Sequence, residues 1–196
     1  LLVTNSLPVK TVGELIAYAK AHPGKLSYGS TGMGTSTHLE GELFKTMAQA
    51  FMVHIPYRGS GPALNDVVAG QVPIIFDNLP SALPFIKAGK LVPIVIAAPQ
   101  QLPQLPGVPT FKDVGLEPVN RMAYYGIVGP KGLPKEVVDK VNAAVRKALE
   151  DPAVRKRIED TGSLVEANTP EQFAAQIKAE FEVYKQVVVK QKLALD

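Results

Sequence analysis

The chain contains no cysteine. That removes disulfides, thiolate chemistry and cysteine-held metals, and it fits a reducing or an oxidising compartment equally. No apolar run approaches the ~20 residues needed to span a bilayer, and no signal peptide is visible. The chain also lacks an initiator methionine. Leu1-Leu-Val-Thr4 reads like the middle of a strand, so the natural N-terminus is expected to be missing. Basic clusters are absent too. The 21 Lys and Arg residues against 18 Asp and Glu leave a net charge of +3, spread mostly over predicted helix faces. A nucleic-acid or membrane surface usually needs a concentrated basic patch, so neither partner is expected. There is no internal repeat and no low-complexity tract.

What is present is an ordinary globular composition, 46% hydrophobic and 20% charged, in 196 residues. That is enough for one large or two small domains with an ample core. Thr11-Val-Gly-Glu14 and Thr169-Pro-Glu-Gln172 have the form of capping boxes, each opening a helix. Short apolar strands alternate with amphipathic helices. Strands are predicted at Leu1–Thr4, Lys25–Tyr28, Met52–Tyr57, Val72–Phe76, Leu91–Ala97, Ala123–Val128 and Ser163–Glu166. Between them, Leu39, Leu43, Met47 and Phe51 are read as one buried helical stripe. Val137, Val138, Val141, Val145 and Leu149 form a second such face, and Phe173, Ile177, Phe181, Tyr184 and Val188 a third. Pro73 and Pro93 fall inside predicted strands and argue for edge or bulge positions. Four prolines between Pro99 and Pro109 suggest a stiff connection rather than core. The alternation predicts an α/β fold with a largely parallel sheet.

The stretch Tyr28-Gly-Ser-Thr-Gly-Met-Gly-Thr-Ser-Thr-His38 joins a predicted strand to a predicted helix. Glycines reach positive φ and let backbone approach a ligand, and a helix start leaves donors unpaired. The loop, Tyr57-Arg58 and Asp77-Asn78 all follow strands, and ligands of such sheets lie beyond the strands' carboxyl ends.

Several chemistries are excluded by pattern. Ser30, His38 and Asp77 lack the Gly-x-Ser-x-Gly elbow of a hydrolytic triad. The glycine spacing fits neither a phosphate loop nor a dinucleotide fingerprint. His22, His38 and His54 share no metal-ligand spacing. No catalytic residue, metal or cofactor is therefore expected. What remains is a cradle of hydroxyls and N–H groups suited to a carboxylate, with Arg58 a candidate counter-charge and Asp77 set to orient loop N–H groups or meet a ligand amine or hydroxyl.

Several segments together resemble a known family. They are Leu7-Pro-Val-Lys-Thr-Val-Gly-Glu14, Gly24-Lys-Leu-Ser-Tyr-Gly-Ser-Thr-Gly-Met-Gly-Thr35, His38-Leu-Glu-Gly-Glu-Leu-Phe44, Val53-His-Ile-Pro-Tyr-Arg-Gly59, Phe76-Asp-Asn-Leu-Pro-Ser-Ala82 and Gly126-Ile-Val-Gly-Pro-Lys-Gly-Leu-Pro134. In this order they resemble the substrate-binding proteins of tripartite tricarboxylate transporters, the Bordetella-uptake-gene or TctC-like type.

The resemblance implies a two-lobed periplasmic-binding-protein-like (type II) fold whose first lobe is N-terminally incomplete here. Residues 1–121 would be the second lobe, and residues 122–196 the return segment completing the first. It implies a non-enzymatic periplasmic receptor that passes a small organic carboxylate to membrane permease subunits. By position, Ser30, Thr31, Gly34 and Thr35 are the candidates for one half of the ligand site. The alternatives are the effector-binding half of a transcriptional regulator and a small hydrolase using Ser30 or His38.

Overall fold

The computed structural model describes residues 1–193. Five strands form one sheet: β1 (Leu2–Thr4), β2 (Ser27–Ser30), β3 (Val53–Pro56), β4 (Ile74–Ile75) and β5 (Leu91–Pro93), in the order β3-β2-β4-β1-β5. β2 runs parallel to both β3 and β4, whereas β1 is antiparallel to both β4 and β5. The sheet is thus mixed, with a single reversed strand near one edge. Pro93 lies on edge strand β5, where a missing donor is harmless. Pro73 sits just before β4, and its carbonyl accepts the Thr4 N–H at 3.0 Å.

Helices cover both faces. α1 (Val12–Ala21) and α2 (Ser36–Ala48) bury Val12, Leu15, Phe44 and Ala48 with Val3, Tyr28 and Ile74 in the larger core. α3 (Ser60–Val68) and α4 (Leu79–Lys87) bury Ala63, Leu64, Val67 and Ala82 against Leu2, Ile75 and Leu91 on the other side. Both capping boxes are formed. The Thr11 hydroxyl accepts the Glu14 N–H at 3.1 Å while Glu14 Oε2 accepts the Thr11 N–H at 3.2 Å. Thr169 and Gln172 repeat the arrangement at the start of the last helix.

The proline-rich stretch is more than a connection. Leu102, Leu105 and Phe111 are buried, and Phe111 packs into the larger core. A 3₁₀ turn at Glu117–Val119 closes this part. Three helices follow: α5 (Lys135–Glu150), α6 (Pro152–Glu159) and α7 (Pro170–Gln191). α7 lies against α2, and Gln191 donates from its side chain to Thr46 Oγ1.

Three sequence expectations are corrected. Residues 123–128 and 163–166 form no strand, because no neighbouring strand pairs with them among the described residues. The apolar faces of α5 and α7 are largely exposed: α5 has no buried residue and α7 only Val187. In α2 the core face is Thr37, Gly41, Phe44 and Ala48, whereas Met47 is exposed and Leu39 and Leu43 half-buried; Phe51 lies beyond the end of the helix and is exposed. A strict four-residue repeat drifts around a 3.6-residue helix, so that row slides off the core.

Candidate functional site

Three loops leave the carboxyl ends of β2, β3 and β4 side by side. Tyr57 N–H donates to Ser30 O at 3.1 Å, Gly59 N–H to Thr31 O at 3.0 Å, and Phe76 N–H to Gly29 O at 3.1 Å. The glycine loop, the Tyr57–Ser60 turn and the Asp77 turn therefore form one stitched rim. That is the convergence expected from strand order in an α/β sheet.

Within the glycine loop, β2 runs two residues further than the apolar pattern suggested and carries Gly29 and Ser30. Gly32 and Gly34 then adopt φ of +144° and +72°, a region side chains resist. A β-carbon on Gly32 would also stand 3.2 Å from Tyr57 O. Thr35 caps α2, its hydroxyl accepting the His38 N–H at 3.5 Å and donating to Gly32 O at 2.7 Å.

The predicted hydroxyls mostly build the loop. Thr31, Thr35 and Thr37 share a cluster of three hydroxyls, with Thr31 Oγ1 2.8 Å from Thr37 Oγ1 and 3.2 Å from Thr35 Oγ1. Thr37 Oγ1 also accepts the Thr31 N–H at 3.0 Å. Ser30 is fully buried; its hydroxyl accepts the Gly32 N–H at 3.2 Å and lies 2.7 Å from His54 Nε2. Gly34 is exposed, and Thr31 and Thr35 are half-buried. The N–H groups of Met33, Ser36 and Thr37 have no hydrogen-bond acceptor among the described residues. Two of them open α2, where the helix dipole favours an anion.

Asp77 stands on the neighbouring turn. Its Oδ1 accepts from the Ser60 hydroxyl at 2.6 Å and from Asn78 N–H at 2.9 Å, tying together the starts of α3 and α4. Its Oδ2 is buried and has no partner among the described residues. Burial raises its pKa above the usual carboxylate value, and the Ser60 and Asn78 bonds oppose that shift. Asp77 thus organises turns rather than presenting a free charge. Arg58 is exposed and makes no ion pair among the described residues.

Sequence reading missed the layer beneath the loop. Parallel pairing sets Tyr28 opposite His54 and puts both on the face that α2 covers. The His38 and His54 rings stack at 3.9 Å, inclined by only 7°. His54 also stacks on Tyr28 at 4.9 Å. His38 Nδ1 accepts the Gly34 N–H at 3.0 Å, so the neutral ring carries its proton on Nε2. Burial, then His38, holds the His54 imidazole down to about 4. Burial likewise lowers His38, against the pull of Glu42. Below them, Glu42 accepts from Tyr28 Oη at 2.7 Å and from Lys45 Nζ at 2.8 and 2.9 Å. No spacing in the sequence joins residues 38 and 54. Only the strand register does.

Known proteins resemble this chain in sequence and in fold. The family described as the tripartite tricarboxylate transporter family receptor matches residues 1–193. The chain belongs to that family. A UPF0065 protein from the tcbD-tcbE intergenic region of Pseudomonas sp. strain P51 is 35% identical over 94% of this chain and 55% of its own length. Protein BugT of Bordetella pertussis is 31% identical over 95% and 58%. A solved periplasmic transporter superposes with a TM-score of 0.91 at 45% identity, covering all of this chain and 65% of that one. R. palustris Rpa4515 with adipate gives 0.90 at 32% identity, over 99% and 65%. MatC of Rhodopseudomonas palustris with bound malate gives 0.83 at 33%, over 95% and 65%. The chain therefore spans a little over half the length of these two sequence relatives. None of its helices, among the described residues, is long and apolar enough to cross a membrane.

Proposed function

We propose that this chain is the ligand-loop part of a periplasmic solute receptor that holds a small organic carboxylate for a tripartite tricarboxylate-type permease. The observation that carries the reading is the rim itself. Unpaired N–H groups of Met33, Ser36 and Thr37 surround a glycine turn at the start of α2, in a family whose members include structures with adipate and malate. Backbone donors at a helix start suit a carboxylate, each charge-assisted bond contributing roughly 1.5–3 kcal/mol. Ser30, Thr31, Gly34 and Thr35 shape this half-site, and Asp77 fixes the adjoining turn. The reading is non-enzymatic. Ser30 is sealed from solvent, and the nearest ring, His54, has no carboxylate hydrogen-bonded to it among the described residues.

We also assign residues 1–121 to one lobe and residues 122–196 to the segment that returns to the other. The exposed apolar residues Tyr125, Ile127, Val128 and Phe181 support that division, because such a surface is expected to be covered. Isothermal titration of the full-length receptor with di- and tricarboxylates, acidic amino acids and aromatic carboxylates tests the function. At least one dissociation constant in the micromolar range or tighter is expected. Silence across the whole panel would sink the reading.

A further inference from the structure

We propose that His38 and His54 are the positioning residues of the ligand loop, holding Gly34 and Ser30 as a stacked pair of neutral imidazoles so that the loop's unpaired N–H groups face the ligand. The inference rests on the carboxylate-receptor reading above and adds the element that sets the loop's geometry.

The two rings grip the turn at both ends. Ser30 closes β2 and meets His54 Nε2 at 2.7 Å. Gly34, four residues on, gives its N–H to His38 Nδ1 at 3.0 Å. Face-to-face contact at 3.9 Å makes the two ends one unit. His38 is 2% exposed, so its ring has little freedom to swing away. The grip needs an acceptor. A proton added to His38 can enter only at Nδ1, where it would turn the acceptor into a donor facing another donor. Two imidazolium rings at that separation would also repel strongly.

Among the described residues, Glu42, Lys45 and Tyr28 are the titratable groups that bear on the pair. From α2, the Glu42 carboxylate lies 3.9 Å from His38 Nε2, but Lys45 and Tyr28 already occupy it. From β2, Tyr28 covers the other face of His54. Burial therefore disfavours a proton on either ring. Protonation of His38 would release Gly34 and take the loop out of its set geometry.

The experiment uses the full-length receptor, His38→Phe, which keeps a flat ring but no acceptor, and His38→Gln, which restores an amide oxygen. Binding of adipate, malate and the rest of the carboxylate panel is measured at pH 7.5, and the Gly34 amide and both imidazoles are followed by ¹⁵N NMR from pH 7.5 to 4. We expect His38→Phe to weaken the best ligand at least about fivefold, the loss of one modest hydrogen bond. His38→Gln should stay within about threefold of wild type. The Gly34 amide shift should move in His38→Phe, and in wild type it should move together with imidazole protonation. A smaller loss in His38→Phe, an equal loss in both variants, or an unmoved Gly34 amide would overturn the proposal. If no panel ligand binds wild type, the receptor reading fails, and the Gly34 amide still decides whether His38 holds the loop.

Discussion

Gly41 faces the Tyr28 ring so closely that a β-carbon there would stand 2.7 Å from Cζ and nearer still to Cε2. Tyr28 is fully buried and its hydroxyl is bonded to Glu42 at 2.7 Å, so the ring has no room to retreat. Gly41→Ala should therefore push α2 off the sheet despite alanine's better helix propensity. The expected loss is about 1–3 kcal/mol, as for other overpacked cores, read by urea denaturation. A stabilised variant would show that α2 can slide freely over β2.

Glu42 is 3% exposed in its side chain and serves two donors from different elements. Removing it strands the Tyr28 hydroxyl in the core, whereas Lys45, at 18% exposure, can turn toward water. Glu42→Ala should lose about 2–3 kcal/mol, less than for a fully enclosed ion pair. Tyr28→Phe should lose less, because the Glu42–Lys45 contact survives. Equal losses in chemical denaturation would mean that the carboxylate matters only through the tyrosine.

These contacts show what the sequence carried and what it did not. Thr11/Glu14 and Thr169/Gln172 were legible because each capping box closes within four residues. The loop, Tyr57 and Asp77 were legible as one rim because each follows a predicted strand of an α/β sheet. The His38–His54 stack was not legible, because the contact depends on which residue of β3 lies opposite Tyr28. The predicted strand at residues 123–128 failed for the same physical reason. A strand exists only with a neighbour to take its hydrogen bonds, and alternation alone supplies none.

Asp77 separates a structural acceptor from a charge. Oδ1 serves Ser60 and Asn78, while Oδ2 is buried without a partner. Asp77→Asn can keep both Oδ1 bonds, and its stability should stay within about 1 kcal/mol of wild type. Asp77→Ala leaves two donors unmet and should lose about 1–3 kcal/mol. Thermal melts of the two variants at pH 7 check this. Equal destabilisation would mean that the negative charge itself holds the turns together.

Acid should expose the histidines. His54 titrates at about 4 when folded against an ordinary value of 6.5, so between those values the unfolded chain binds more protons. Its contribution to stability is therefore present above pH 6.5 and lost as pH falls toward 4. His38 is shifted the same way. Glu40 opposes them. Burial raises its carboxyl to about 7 from 4.5, so its contribution favours the fold at low pH and fades as pH rises through 7. The wild-type melting curve alone mixes both effects. The difference in Tm between wild type and His54→Phe should grow steadily from pH 4 to 6.5. Glu40→Gln should shift in the opposite sense across pH 4.5 to 7. A pH-independent difference for His54→Phe would mean that His54 titrates normally in the fold.

Phe181 tests whether the exposed face of α7 belongs to an interface within the full-length protein. It is 61% exposed here, on the same helix as Ile177 and Val188, which are 37% and 36% exposed. At such exposure, Phe181→Glu in this chain should change stability by no more than about 0.5 kcal/mol. If the rest of the full-length protein covers α7, as the proposed lobe assignment requires, the same substitution buries an unpaired carboxylate there. There it should cost about 3 kcal/mol or more, combining lost packing with the buried charge. Paired denaturation curves for the two lengths decide the matter. Equal small effects would place Phe181 on open surface and remove the main support for reading residues 122–196 as a return segment.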